Sequence, residues 1–187
     1  IKRVLGTQAH IVIRPLEEVA RPQREAGAGE AVLPRVEARA QRLRSIDQWQ
    51  ALEPVLDATP GITAVSPMVS GPAFALRGDA SKSVAILGVE PARYDRIVAV
   101  GEKLVDGAFR LGPDDAVIGK ELARDLGLAV GDRFRMLTAE SAAPVTQSFV
   151  VSGIVDLGVR DLNRRSVYLA FRTAQTLLAL PGGASQI

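Results

Sequence analysis

The 187-residue sequence contains no cysteine. That absence excludes a disulfide scaffold, a thiolate metal site and a cysteine nucleophile. There is one histidine, His10, so a multi-histidine metal centre is excluded as well. Neither sign of charge dominates: 23 lysines and arginines stand against 21 aspartates and glutamates, which argues against a dedicated nucleic-acid binder despite a pI near 9.3. No apolar run approaches the roughly 18 residues needed to cross a bilayer. The first residues, Ile1-Lys2-Arg3-Val4-Leu5-Gly6, offer neither an initiator methionine nor the apolar core of a signal peptide. Residues 182–187 read as a turn into a strand that has only begun, so the chain is expected to be a piece of something longer.

Catalytic signatures fail one by one. Residues 114–121 superficially resemble a phosphate loop. Asp114 stands where the first glycine is needed, however, and Glu121 where a magnesium-binding serine or threonine is needed, and both carboxylates would repel phosphate. Ser70, Ser152 and Ser185 lack the flanking glycines of a nucleophile elbow. His10 has no local serine or acid partner and reads as a polar residue beside a strand. Asp114, Asp115, Asp156 and Asp161 match no calcium loop and read as turn carboxylates. Asn163, Arg164 and Arg165 form a compact polar cluster, read as a solvated loop. Met68, Phe74, Leu76 and Phe109 are read as ordinary packing residues, and Trp49 as a core anchor. No catalytic, cofactor-binding or metal-ligating residue is assigned.

What is present is 47% hydrophobic content, enough for one or two small cores. The most legible stretch is residues 115–153. Ala116-Val117-Ile118 reads as a strand and residues 120–126 as a two-turn helix with Leu122 and Leu126 on one face. Gly127 is suited to the left-handed position after a helix. Phe134, Met136 and Thr138 alternate with Arg133, Arg135 and Leu137 as in a half-buried strand, with residues 149–152 as its antiparallel partner.

Elsewhere, residues 8–14 suggest a first strand, ended by Pro15. Residues 16–44 hold six arginines, Pro22, Pro34, Gly27 and Gly29, and read as a polar loop. Residues 45–57 read as a helix opened by a Ser45–Gln48 capping box and interrupted by Pro54, with Ile46, Trp49, Leu52, Val55 and Leu56 on one face. Residues 62–70 and 74–77 read as extended, with Pro67 and Pro72 at edges or bulges. A strand is expected over 82–89, a short helix over 92–100, and turns at Asp106-Gly107 and Gly112-Pro113. Ile154 and Val155 continue the strand before them, residues 156–165 read as a polar loop, 166–170 as a strand and 173–180 as a helix stopped by Pro181-Gly182.

The wording IGKELARDLGLAVGD followed by FVVSGI resembles the extracytoplasmic core domain of MacB-type ABC transporter permeases, a group that includes lipoprotein-release and FtsX-like permeases. RVLGTQAHIVI, ATPGITAVSPMVSG, VAILGVEPARYDRI and VYLAFRTAQTLLALPGGASQI resemble further pieces of it, in the same order. The resemblance implies an α+β fold with a porter-like subdomain made from both ends of the chain and a smaller inserted α+β subdomain. The expected division is residues 1–90, including the 16–44 loop, then the insertion over 91–164, then a return over 165–187.

It also implies a periplasmic, non-catalytic domain on the inner membrane, without cofactor. Such a domain couples a cytoplasmic ATPase to export or release of a lipoprotein, lipid or drug-like substrate. The implied partners are a second permease subunit, the ATPase, and a periplasmic adaptor or carrier. The stretch 139–147 is too short for the protruding hairpin of the carrier-binding permeases, so no binding residue is carried over. A freestanding binding or adaptor domain, or a small hydrolase, are the alternatives. The substrate is left open.

Overall fold

The computed structural model describes residues 9–16, 43–138 and 144–187. The expected polar loop over 16–44 and the hairpin tip over 139–143 lie almost wholly outside the described residues.

The elements follow in order: α1 (Trp49–Asp57), β1 (Met68–Arg77), β2 (Ala80–Val89), α2 (Pro91–Val98), a 3-10 turn (Gly101–Lys103), β3 (Leu104–Gly107) and β4 (Asp115–Gly119). They continue with α3 (Lys120–Leu126), β5 (Arg133–Thr138), β6 (Val145–Val155), α4 (Arg160–Arg165), β7 (Ser166–Ala170) and α5 (Phe171–Leu177). The fold is α+β.

The strands run β3-β6-β4-β7-β2-β1-β5, and β5 pairs again with β6. Six of them therefore close into a barrel, with β3 added outside the ring. Strand β6 makes closure possible because it is long, at 11 residues. Its N-terminal half pairs antiparallel with β5, from Thr138↔Val145 to Arg133↔Val150. Its C-terminal half pairs parallel with β4 and, on the other edge, antiparallel with β3.

Between the two halves the β4 register skips Ser152, passing from Ala116↔Val151 to Val117↔Gly153. A one-residue bulge reverses which side chains face inward. Before it, Phe149 and Val151 point into the barrel core, while beyond it Ile154 packs on that core and Val155 joins the outer layer. The Ser152 hydroxyl bonds the carbonyls of Arg110 (2.7 Å) and Ala116 (3.2 Å), so the bulge leaves no buried hydroxyl unpaired.

The barrel interior is filled by Val69, Ala75, Ile86, Ile118, Phe134, Met136, Phe149, Val167 and Leu169, with side chains of α3 and α5 joining the same cluster. Helix α5 packs against Gly88 so tightly that a Cβ there would lie 2.1 Å from the Ala174 Cβ. Gly119 is equally tight against the Asn163 backbone, and Gly127 adopts φ 63 after α3 as expected. A second cluster covers the outside of β2, β7 and β4: Val89, Tyr168 and Val117 under Val98 and Val100, with Tyr94, Ile97, Phe109 and Leu111 packed around them.

Several expectations need correction. The Ser45–Gln48 capping box does not form. Gln48 takes φ 50 and makes no side-chain cap, and the Ser45 hydroxyl instead accepts from the Ala184 N–H (3.1 Å), a partner 139 residues away. Helix α1 begins at Trp49 and runs through Pro54 without dividing. Val55 is 61% exposed rather than on the packed face. Residues 9–16 form no named strand, though Ile13 exchanges both backbone hydrogen bonds with Ile187 (2.8 and 3.1 Å). Asp106 and Gly107 end β3 rather than forming a free turn. Residues 160–165 are helical, and Asn163 is buried.

The junctions expected at 90/91 and 164/165 fall between strands that pair with one another. Strand β2 lies beside β7, and β7 beside β4, so residues 91–164 do not form a separate sheet. Pro72 lies inside β1, beyond the Phe74–Leu76 ladder to β5, where its missing N–H leaves no gap in that pairing.

Gly88→Ala should lower stability by about 1–3 kcal/mol, because α5 must shift to admit the methyl group. A urea titration of the chain checks this, and an unchanged midpoint would contradict the packing described.

Candidate functional site

The polar residues singled out in the sequence do not converge on one centre. They are spent on joining α3 and α4 to the barrel. Asp156 pairs with Lys120 and accepts from the Asn163 side-chain amide (2.8 Å) and the Gly158 N–H (2.9 Å). Asn163 Oδ1 in turn accepts from the Leu157 N–H (2.7 Å). Glu121, nearly buried, pairs with Arg124 and Arg160. Asp125 pairs with Arg164 (3.0 Å) and faces Lys82 (3.9 Å). Asp115 takes Arg110 (3.1 Å) and the Gly112 N–H. Asp114 only meets Gln147 (3.4 Å).

His10 and Asp161 are exposed and apart from these groups. Ser185 accepts from the Ser70 N–H and reaches the Met68 carbonyl. Among the described residues, no three His, Asp or Glu side chains stand together as metal ligands, and no helix is long and apolar enough to cross a membrane.

The aromatic side chains are structural. Trp49 meets Phe171 edge-on at 5.6 Å, and Tyr168 stacks between Tyr94 and Phe109, each centroid 6.0 Å away. Burial raises the pKa of the Tyr168 hydroxyl, and more mildly that of Tyr94, so both stay neutral.

The surface that stands out is the outside of the barrel opposite the α2 layer. There, among the described residues, β1, β5 and the first half of β6 carry no helix. Phe74, 43% exposed, lies in register with Leu137, and Leu76 with Arg135, which pairs in turn with Ser148. Pro72 and Arg133 extend the patch and are exposed. No ion pair is formed by Arg133 or Arg135 among the described residues. An exposed aromatic beside exposed arginines is the chemistry that docks a protein surface bearing apolar and acidic groups. The four residues first grouped as apolar do not share this surface: Phe74 and Leu76 belong to it, whereas Met68 and Phe109 pack on the α2 side.

Residues 9–187 match the family described as the MacB-like periplasmic core domain. The chain belongs to that family. Curated relatives of this MacB-like domain include the lipoprotein-releasing system transmembrane protein LolC of Neisseria meningitidis serogroup B, 27% identical over 141 residues (71% of this chain, 34% of the relative). LolE of Haemophilus influenzae is 28% identical over 142 residues, with 72% and 34% covered. The chain thus spans about a third of the length of these relatives.

Two solved structures show the same fold. The extracellular domain of YknZ, a noncanonic ABC-type transporter from Gram-positive bacteria, aligns with TM-score 0.53 and 16% identity, covering 71% of this chain and 67% of its own. The periplasmic region of MacB from Actinobacillus actinomycetemcomitans aligns with TM-score 0.53 and 14% identity, covering 73% and 61%.

In this MacB-like domain, sequence reading passed over Arg133, Arg135 and Leu137 as the outward half of an alternating strand. Only the absence of a covering helix among the described residues makes them a surface of interest, and that is not encoded locally.

The Lys120 ammonium, then the Gly158 N–H and Asn163 amide, hold the Asp156 carboxyl down to about 2 from its ordinary 3.8. Its stabilising contribution is therefore complete above about 3.8 and lost as pH falls through about 2. Asp156→Asn should melt below the parent chain at pH 7, and the gap should close between pH 4 and pH 2. Thermal melts across that range test this, and a gap constant with pH would refute it.

Proposed function

We propose that this chain is the non-catalytic, extracytoplasmic part of an ABC permease on the inner membrane, and that it couples ATP hydrolysis elsewhere to export or release of a substrate. The bare face of β1, β5 and β6 carries this reading. A closed barrel has almost no free edges and makes a stiff lever, and one side that no described helix covers, with two exposed arginines on it, gives that lever a working surface. Membership of the MacB-like family and similarity to transmembrane proteins of lipoprotein-releasing systems support an amphiphilic substrate such as a lipoprotein.

On this reading the ATPase is a separate cytoplasmic partner, and a second permease subunit faces this one. The bare face receives a periplasmic carrier or adaptor. The hairpin joining Thr138 to Val145 is short, so contact would be made by strand faces rather than by a long finger. The barrel, entered through β1 and left after α5, would be the inserted part. Residues 9–16, 43–67 and 184–187 would belong to the porter-like part.

The deciding experiment places Arg133→Glu/Arg135→Glu in the full-length permease, reconstituted with its ATPase in lipid vesicles. Both side chains are exposed, so stability should change by less than about 0.5 kcal/mol. ATP hydrolysis should persist, while ATP-dependent release of substrate to the acceptor falls about tenfold or more. Undiminished release would show that this face is not the working surface. Release that never depended on ATP would sink the coupling reading itself.

A further inference from the structure

Pro181-Gly182-Gly183 has the composition of a flexible hinge, yet the segment that follows is gripped from four sides. The Gly182 carbonyl accepts from Trp49 Nε1 (2.8 Å) and Gln50 Nε2 (3.1 Å). The Gly183 carbonyl accepts from the buried Gln175 side chain of α5 (2.7 Å). The Ala184 N–H donates to Ser45 Oγ, and its carbonyl accepts from the Ile46 N–H (2.8 Å). Ser185 and Gln186 donate to the Met68 carbonyl, Gln186 also accepts from the Met68 N–H, and Ser185 Oγ accepts from the Ser70 N–H. Ile187 exchanges bonds with Ile13.

The space is closed as well as the bonding. Ala184 is fully buried, and a Cβ on Gly183 would come within 2.9 Å of Ser45 Oγ and 2.7 Å of Leu180. Just before this segment, Leu178 presses on Gly71 of β1 and Ala174 on Gly88 of β2. The strap is therefore joined on one side to the helix that packs into the barrel core, and on the other to residues 13 and 45–50.

We propose that residues 182–187 act as a clasp, with Trp49 as its latch, fixing the barrel to the 45–57 segment so that the two turn as one body. The inference goes beyond the transport reading and does not rest on it. Gly183 lets the chain pass between Ser45 and Leu180, and Gly182 supplies a φ of 70 in open space. They do not loosen it, because their carbonyls are held by three side chains. Displacement of the 45–50 segment is passed straight to α5 and the barrel.

The test is amide hydrogen exchange on the 187-residue chain. In a clasp, the amides of Ile46, Ala184, Ser185 and Gln186 exchange within about tenfold of barrel amides such as Ile86, Phe149 and Val167, because all open together. Trp49→Phe keeps an aromatic ring beside Phe171 but removes the donor to Gly182. It should speed exchange at Ala184, Ser185 and Gln186 about tenfold while leaving the three barrel amides unchanged. Ser45→Ala, which removes the acceptor for the Ala184 N–H without touching the aromatic pair, should do the same. Strap amides that exchange more than about tenfold faster than the barrel in the parent chain would mark a hinge and overturn the proposal. So would two variants that leave strap exchange unchanged.

Discussion

Everything in this domain depends on closing the ring of strands through β6. A strand has two edges, and β6 must serve β4 on one and both β5 and β3 on the other. It must also face two different cores. Without the bulge at Ser152, the alternation that buries Phe149 and Val151 in the barrel would carry Gly153 and Val155 inward too. One inserted residue turns Val155 outward to the layer under Val98 and Val100 and brings Ile154 inward. The serine is suited to that place because its hydroxyl reaches the carbonyls of Arg110 and Ala116.

Closure decides where the rest of the chain can go. With the inside filled by Phe134, Met136, Phe149 and their neighbours, helices have two options: they can join the barrel core, as α3 and α5 do, or lie on its outside, as α2 does. Burying a large apolar side chain contributes about 1.5–3 kcal/mol, whereas a half-exposed ion pair such as Lys120–Asp156 contributes about 1 kcal/mol or less. The charged network of α3 and α4 therefore orients helices that apolar packing already holds. In the 114–121 stretch, Glu121 pairs with Arg124 and Arg160 and Asp115 with Arg110, whereas Asp114 meets Gln147. What the described helices leave uncovered is the β1–β5–β6 face, where Phe74 and two arginines are exposed.

The stretch from Asp115 to Val155 was largely legible because its signals are local. An apolar triplet, a helix with leucines four apart, a glycine suited to φ above zero and strict alternation over Arg133–Thr138 each determine their own geometry. Where local signals competed with distant partners, they lost. Ser45 has the spacing of a capping box, but its hydroxyl accepts from the distant Ala184 N–H instead. Residues 160–165 look like a solvated loop, but Asn163 is needed to satisfy the Leu157 N–H beside Gly119. Val55 fits the apolar period of α1, yet it stays 61% exposed while Trp49 is the α1 side chain that packs on the core.

The sequence by itself determined the class of the protein: α+β, without the residues for thiolate or multi-histidine chemistry, and with enough ordered motif wording to point to a permease domain. The exclusions follow from composition, and the α+β class and permease reading from the resemblance carried by those motifs; both survive without knowledge of contacts. Only the tertiary structure decided that strands from 68–89, 115–119, 133–155 and 166–170 share one barrel, that the glycines after Pro181 are clamped, and that no described helix covers one barrel face. Each is a pairing or an omission between residues tens of positions apart, and strand partnership is set by closure of the whole ring.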